Sequence, residues 1–211
     1  MIDEDPTETA DASTPLPPLA LLARAEQTIV GLAPVLTDLV AEFTRRELPL
    51  YLVGGSVRDA ILGRLGNDLD FTTPARPDTV HEILDAWAET VWDTGIEFGT
   101  VSAVKSGQQI EITTFRSDTY DGDSRNPEVV FGDTLEGDLV RRDFRVNAMA
   151  VELLLSDGQL AARFHDPVGG LDDLARRRLD TPAAPEISFH DDPLRMLRAA
   201  RFVSQLGFGV A

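Results

Sequence analysis

The stretch from Tyr51 to Thr73, YLVGGSVRDAILGRLGNDLDFTT, places the tightest limits on what this chain can fold into. It begins with apolar residues typical of a buried strand, and Gly54 and Gly55 end that strand. The pattern then predicts a short helix that Ser56 caps and that ends near Gly63. We therefore expect a strand, a glycine turn, a helix and a second strand in close succession.

The same stretch combines a phosphate-binding signal with a metal-binding one. A glycine turn before a helix offers free backbone N–H groups and the positive end of the helix dipole, and Arg58 lies in the first turn of that helix. Asp68 and Asp70 are two apart on a strand, so both carboxylates face one side while Leu69 and Phe71 face the core. Such carboxylates repel each other unless a cation such as Mg²⁺ lies between them. Each signal alone is most often structural, but the two together predict nucleotide chemistry.

The better-known phosphate loops do not compete with this interpretation. The chain contains no G-x-x-x-x-G-K-[ST] sequence, and GGSVRD is not the dinucleotide-binding G-x-G-x-x-G.

Composition narrows the class of protein. The 211 residues suffice for one good core, and a formal charge of −17 argues against non-specific nucleic-acid binding by the chain as a whole. Cysteine is absent, which excludes disulfides and thiolate metal sites and suits a reducing cytoplasm. No apolar run reaches the roughly 20 residues of a membrane span, and the acidic N-terminus lacks the basic start of a signal peptide. We expect a cytoplasmic protein with no membrane partner.

The remaining chain divides by its hydrophobic periodicity. Residues 1–18 are acidic, rich in Thr and Pro, and predicted to be a disordered tail. Two helices are predicted over 19–47, an amphipathic helix over 78–88, and two or three strands over 91–115. The polar segment from Asp118 to Glu128 is predicted to be a mobile loop.

Glu111 is a candidate third carboxylate. Ile110 and Ile112 share one face of a strictly alternating strand, which leaves Glu111 on the other face. There it could join Asp68 and Asp70 from a neighbouring strand, although a lone glutamate on the wet face of a strand is usually only solvated.

A second motif follows at 141–150, RRDFRVNAMA. Arginines suit triphosphate oxygens because the planar guanidinium binds two oxygens at once, and Asn147 could hydrogen-bond a ribose hydroxyl. The structural alternative is a basic helix end that complements its own dipole.

A third motif lies at the start of a helix predicted over 191–208, after a linker at 182–185. Asp192 is a good N-cap and Pro193 suits the first helical position. Asp192 and Arg195 lie three apart, so the acceptor and the donor could meet on one turn and match the Watson–Crick edge of cytosine or adenine. Uracil and guanine present the reverse order and would leave charged groups unpaired, at about 1–3 kcal/mol each.

The His190-Asp191 pair does not indicate a metal-dependent phosphohydrolase of the HD type. Such sites need several further His and Asp ligands, and this chain has three histidines in all.

These three motifs resemble motifs A, B and D of the class II tRNA nucleotidyltransferases (CCA-adding enzymes) and the related bacterial poly(A) polymerases, which belong to the DNA polymerase β-like superfamily. The resemblance covers about Leu50 to Phe208. The second motif departs from RRDFxxNAxA by carrying Arg145, where a small polar residue is usual. The third departs from EDxxR by carrying Asp191, which is one methylene shorter than Glu.

The resemblance implies an α/β fold of the α+β type. A nucleotidyltransferase head, with a small mixed sheet flanked by helices, would occupy residues 19–180, and the first helices of an α-helical neck would occupy 186–211. We expect a fragment, with the tRNA 3′ end gripped mainly by regions missing after Ala211, that binds nucleotide but adds it poorly.

The implied reaction is attack of an RNA 3′-hydroxyl on the α-phosphate of CTP or ATP, which adds C, C and A to tRNA. Asp68 and Asp70 would hold two Mg²⁺ ions, with Glu111 as a further catalytic carboxylate. The implied nucleotide-binding residues are Gly54, Gly55, Ser56 and Arg58 in the first motif, Arg141, Arg142, Asp143 and Asn147 in the second, Asp192 and Arg195 in the third, and Arg198 and Arg201 farther along the same predicted helix.

Three alternatives remain at this stage. A poly(A) polymerase shares these motifs and differs in its products. An enzyme that adds only CC is expected to lack the flexible loop, which the resemblance assigns here to Asp118–Glu128. A catalytically silent nucleotide-sensing domain would not need the intact pair Asp68 and Asp70.

Overall fold

The computed structural model describes residues 17–119 and 128–211. Residues 1–16 of the predicted tail and residues 120–127 of the predicted loop lie outside the described residues, and Pro18, the last residue of the predicted tail, begins the first helix. The helices are α1 (Pro18–Val30), α2 (Ala33–Arg45), α3 (Gly54–Ile61), α4 (Pro77–Trp87), α5 (Leu135–Val140), α6 (Gly170–Ala175), α7 (Pro185–Asp191) and α8 (Leu194–Leu206).

A seven-stranded mixed sheet forms the centre of the fold, in the order β3-β4-β5-β2-β1-β8-β9. Within it β2 and β5 run parallel, and the other described neighbours are antiparallel. Two small two-stranded sheets pair β6 with β7 and β10 with β11. The strands are β1 (Leu50–Val53), β2 (Asp68–Thr73), β3 (Thr90–Trp92), β4 (Thr100–Lys105), β5 (Gln108–Thr114), β6 (Arg116–Thr119), β7 (Glu128–Phe131), β8 (Ala150–Ser156), β9 (Gln159–His165), β10 (Arg178–Leu179) and β11 (Gly209–Val210).

The two faces of the sheet differ because side chains alternate along each strand. Leu69 and Phe71 of β2 and Ile110 and Ile112 of β5 are fully buried in one core with side chains of α1, α2 and α4. Burying each such side chain contributes about 1.5–3 kcal/mol. On the opposite face Asp68 and Asp70 are exposed and Glu111 is half-buried, so polar groups are available for chemistry there. The sheet and its flanking helices confirm the predicted mixed α/β fold.

The helix predicted over 191–208 is wrong in its bounds. The structure has two helices here: α7 begins at Pro185, the last residue of the predicted linker, and α8 begins only at Leu194. Between them Asp192 is extended, with φ −140° and ψ 96°. The reason is Pro193, because a proline ring clashes with a helical conformation of the residue before it. The division into head and neck near residue 180 stays a prediction.

No helix in the described ranges is by itself long and apolar enough to cross a membrane. Helices α1 and α2 taken together meet the length and composition criteria, with an 84° bend between them.

Gly170 lies where the start of α6 packs against the 3₁₀ turn Arg145–Asn147. A Cβ on Gly170 would overlap the carbonyl oxygen of Arg145 and lie 2.9 Å from Cγ of Met149. The carboxylate of Asp166 accepts the Gly170 N–H at 2.8 Å, so this approach is held in place by a helix cap.

We therefore expect Gly170→Ala to lower the free energy of unfolding by about 1–3 kcal/mol, the usual cost of overpacking. Urea unfolding would measure it, and Gly66→Ala is the matched control because no heavy atom of the described residues, its chain neighbours apart, lies within 4 Å of its Cβ position. Equal stability of the two variants would contradict the packing seen here.

Candidate active site

Three carboxylates lie on adjacent strands at the open face of the sheet. Asp70 of β2 is in register with Glu111 of β5, and Asp68 is in register with Gln109. Asp68 and Asp70 are exposed and Glu111 is half-buried, while Leu69, Phe71, Ile110 and Ile112 are buried. The structure thus brings Glu111 beside the aspartate pair, because β5 is the direct neighbour of β2.

The pKa of Asp70 is raised above its usual value. Although Asp70 is exposed, the surrounding protein partly desolvates its carboxylate, which is the main cause; the nearby charges of Glu111 and Asp68 add to it, while Arg142 and Arg58 act in the opposite direction. No group of three or more potential ligands within residues 17–119 and 128–211 already has metal-binding geometry. The donor set is nevertheless all oxygen and mutually repulsive, which fits a hard divalent cation.

Ser56 does not cap α3 as predicted. The helix begins two residues earlier, at Gly54, with Val53 at the N-cap position. The Ser56 hydroxyl instead accepts the Asp70 N–H at 2.9 Å and donates to the Asp68 carbonyl at 3.3 Å. Ser56 therefore ties α3 to the strand that carries both aspartates, a contact between segments that local sequence pattern does not reveal.

The glycine turn is crowded by two arginines. Gly54 has a φ of +65°, which a side chain would strain, and a Cβ there would lie 3.0 Å from Nη1 of Arg142. A Cβ on Gly55 would lie 3.5 Å from Nη2 of Arg58. The turn thus lets two guanidinium groups approach the backbone closely.

We expect Gly54→Ala to weaken CTP binding because it both strains the turn, by about 1–2 kcal/mol, and displaces Arg142. Gly158→Ala is the matched control: its φ is +75° but nothing lies within 4 Å of its Cβ position. Calorimetry should show weaker CTP binding in Gly54→Ala but not in Gly158→Ala, while the two substitutions should lower the free energy of unfolding by similar amounts. Unchanged CTP binding by a folded Gly54→Ala protein would contradict the expectation.

Arg58 is held by a network and is only 9% exposed. Its Nη1 donates to Oδ1 of Asn147 at 2.7 Å, and its Nε and Nη2 donate to Asp59 at 3.1 and 2.8 Å. Asn147 in turn donates to Asp143 at 3.0 Å. Asp143 also accepts from Arg198 of α8 at 2.7 Å. Residues of the first motif, the second motif and helix α8 therefore meet in one network.

Asp138 of α5 is a residue that the sequence analysis missed. It is 0% exposed, and its two oxygens accept from Arg141 at 2.7 Å and from Arg142 at 2.9 Å. It also accepts the backbone N–H of Arg116 at 3.2 Å. Asp138 lies three residues before Arg141 and four before Arg142, at the end of a helix. This spacing could have predicted ion pairs between them.

The two arginines set the pKa of Asp138. Burial alone would raise the pKa of this carboxyl, but the charges and hydrogen bonds of Arg142 and Arg141 outweigh burial and hold it below its usual range. The Nε of Arg142 is itself buried and has no hydrogen-bond partner in the part of the chain that the structure describes.

Arg195 is 8% exposed and anchors α8 to the rest of the fold. Its Nη1 donates to Ser188 at 2.7 Å and its Nη2 to the Arg141 carbonyl at 2.8 Å. Its Nε lies 3.9 Å from Asp192, longer than a hydrogen bond. Asp192 accepts the Leu194 N–H at 2.9 Å, but Pro193 occupies the N-cap position of α8, so the prediction that Asp192 is the N-cap and Pro193 the first helical residue is wrong.

Known proteins match this fold and sequence. A family model for the poly A polymerase head domain matches residues 50–180. The CCA-adding enzyme of Bacillus pumilus is 45% identical over 162 residues, which are 76% of this chain and 38% of that enzyme.

Two solved structures agree in fold. The Bacillus stearothermophilus CCA-adding enzyme in complex with CTP is 36% identical, with a TM-score of 0.68 over 85% of this chain and 40% of that one. A tRNA nucleotidyltransferase complexed with a primer tRNA and an incoming ATP analog is 31% identical, with a TM-score of 0.67 over 82% of this chain and 46% of that one.

The chain thus spans less than half the length of these relatives. The family model covers more than half of this chain, and the mixed sheet agrees with the solved structures. The resemblance inferred from the three motifs is confirmed. The chain is similar to CCA-adding enzymes and belongs to the poly A polymerase head domain family.

Proposed function

We propose that this chain is the catalytic head of a template-independent RNA nucleotidyltransferase that adds C, C and A to tRNA 3′ ends from CTP and ATP. The observation that carries the proposal is the carboxylate group Asp68, Asp70 and Glu111, on two paired strands, with Ser56 tethering the strand to the glycine turn. Relatives solved with CTP, and with a primer tRNA and an ATP analog, support the substrates. The proposal also places the protein in the cytoplasm.

Asp68 and Asp70 would hold two Mg²⁺ ions, and Glu111 would add negative charge beside them. Bound there, Mg²⁺ supplies positive charge for activation of the RNA 3′-hydroxyl and for the departing pyrophosphate. The raised pKa of Asp70 supports this role, since a carboxylate that is costly to ionise alone gains most from a cation.

Arg58, Arg142 and the glycine turn would bind the triphosphate. Both guanidinium groups lie against Gly54 or Gly55, and the buried Nε–H of Arg142 is without an acceptor among the described residues. A buried donor without an acceptor is costly, so a phosphate oxygen that supplied one would be favoured. Asn147 and Asp143, which orient Arg58 and Arg198, would lie next to the ribose and phosphates.

Asp192 and Arg195 would select the base. The carboxylate accepts from the exocyclic amino group of cytosine or adenine, and the guanidinium donates to the neighbouring ring nitrogen. Arg195 is already fixed by Ser188 and the Arg141 carbonyl, which reduces the entropy lost when a base binds.

The test uses this chain alone and this chain joined to the remainder of the Bacillus stearothermophilus enzyme, of which it covers 40%. Each is given a tRNA transcript ending before CCA, with Mg²⁺ and CTP, ATP or both, and products are sized to one nucleotide. We expect growth by two with CTP and by three with both for the joined protein, loss of both in Asp68→Ala, and slow addition by the chain alone.

Two outcomes would replace the proposal. The family model is named for poly A polymerases, and a long ladder with ATP alone would establish that activity instead. A folded joined protein that binds ATP but extends no RNA would indicate a nucleotide-sensing domain.

A further inference from the structure

The phenyl ring of Phe202 on α8 contacts three guanidinium groups. The Cζ atoms of Arg58, Arg201 and Arg198 lie 5.3, 5.4 and 5.7 Å from the centre of the Phe202 ring. Each distance is within the range of a cation–π contact. Two of the arginines come from α8 itself, but Arg58 comes from α3, so the ring joins α8 to the helix of the first motif.

The Phe202 ring is itself fixed. It is 5% exposed and meets the Phe144 ring edge to face, with centres 5.6 Å apart and planes at 84°. Phe144 belongs to the second motif and is buried. A ring held this way offers a rigid negative face, which an aliphatic side chain of similar size does not.

The three guanidinium groups are incompletely neutralised. Arg58 pairs with Asp59 at 2.8 Å and Arg198 pairs with Asp143 at 2.7 Å. Arg201 is exposed and makes no ion pair or side-chain hydrogen bond within the described ranges beyond its contact with the ring. The surroundings of Phe202 therefore carry excess positive charge, although the chain as a whole has a formal charge of −17.

Arg58 connects this cluster to the glycine turn of the candidate active site. Its Nη2 lies 3.5 Å from the Cβ position of Gly55, and its Cζ lies 5.3 Å from the centre of the Phe202 ring. Arg58 and Arg198 already donate to Asp59, Asn147 and Asp143, whereas Arg201 makes no such bond within the described ranges. Three cations around one centre with their remaining N–H groups suit a ligand with several anionic oxygens better than a single monovalent anion.

We propose that Phe202 is a positioning residue that holds Arg58, Arg198 and Arg201 as one receptor for the polyphosphate chain of a nucleotide. The inference deepens the proposed function and rests on it for the identity of the ligand. The ring contacts the arginines and not the reacting atoms, so its removal should change ligand affinity more than the rate of chemistry.

The test measures binding of inorganic tripolyphosphate to this chain by calorimetry at low salt. We expect Phe202→Leu to weaken binding roughly tenfold, since three cation–π contacts are lost together. Phe202→Tyr keeps an aromatic face and should bind within about twofold of the unmodified chain. Phe208→Leu is the matched control, because Phe208 is 6% exposed and no cation lies over its ring among the described residues.

Thermal unfolding of each variant shows that folded proteins are being compared. Tripolyphosphate binding by Phe202→Leu equal to that of the unmodified chain, or an equal loss in Phe208→Leu, would overturn the inference. In the joined protein, Phe202→Leu should raise KM for CTP with little change in kcat. Tripolyphosphate has no base or sugar, so Phe202-dependent binding without nucleotide addition would disprove the proposed function and leave the receptor standing.

Discussion

Asp70→Asn should reduce nucleotide addition by on the order of 10³-fold while leaving the folded protein at least as stable. The loss follows because one carboxylate of the proposed metal site becomes a neutral amide, and metal-ion catalysis is worth several kcal/mol, with each 1.36 kcal/mol a factor of ten in rate. Single-turnover addition by the joined protein would measure it.

The stability of the same variant follows from the raised pKa of Asp70. A carboxyl whose pKa is raised by folding favours the folded state while protonated, and that stability is lost as pH rises through the folded value. Asparagine stays neutral, so Asp70→Asn should melt at a higher temperature than the unmodified chain at pH 7 in metal-free buffer, and Mg²⁺ should raise the melting temperature of the unmodified chain alone.

Asp157→Asn is the control, since Asp157 is exposed in the turn between β8 and β9. It should change neither activity nor the response to Mg²⁺. More than a tenth of normal activity in Asp70→Asn would argue that Asp70 is not a metal ligand.

Asp138→Ala should cost about 3–5 kcal/mol of folding stability, the usual result of removing one partner of a buried ion pair. The carboxylate is fully buried and accepts from Arg141, Arg142 and the Arg116 backbone. Because whole domains are stable by only about 5–15 kcal/mol, this change is a large fraction of the total. Urea unfolding at pH 7 would measure it.

Asp172→Ala is the matched control, because Asp172 pairs with Arg176 at the same helical spacing but both side chains are exposed. Its effect should be within about 0.5 kcal/mol. Similar losses in the two variants would contradict the assigned role of burial.

The pH dependence of Asp138 has the opposite sign to that of Asp70. Its pKa is lowered on folding, so its stabilisation is present above the usual aspartate pKa of about 3.9 and is lost as pH falls through the folded value. The unmodified chain should therefore lose stability more steeply than Asp138→Asn between about pH 4 and the folded pKa.

Local pattern was sufficient for the elements of the first motif. The apolar run before Gly54 predicted β1, and the alternation of Leu69 and Phe71 with the aspartates predicted which face of β2 is polar. These succeeded because strand and turn preferences depend on a few neighbouring residues. The same reasoning failed at Ser56, whose hydroxyl bonds to β2 and not to its own helix.

The family followed from the resemblance of three sequence motifs, and the polar face of β2 and β5 followed from the alternation of side chains along each strand. Only the tertiary structure decided that β5 lies parallel to β2 with Glu111 beside Asp70, that Asp138 holds Arg141 and Arg142, and that Phe202 meets Arg58. The physical reason is that a buried charge or a shared ring is stabilised by groups distant in sequence. Which groups those are depends on how the whole core packs.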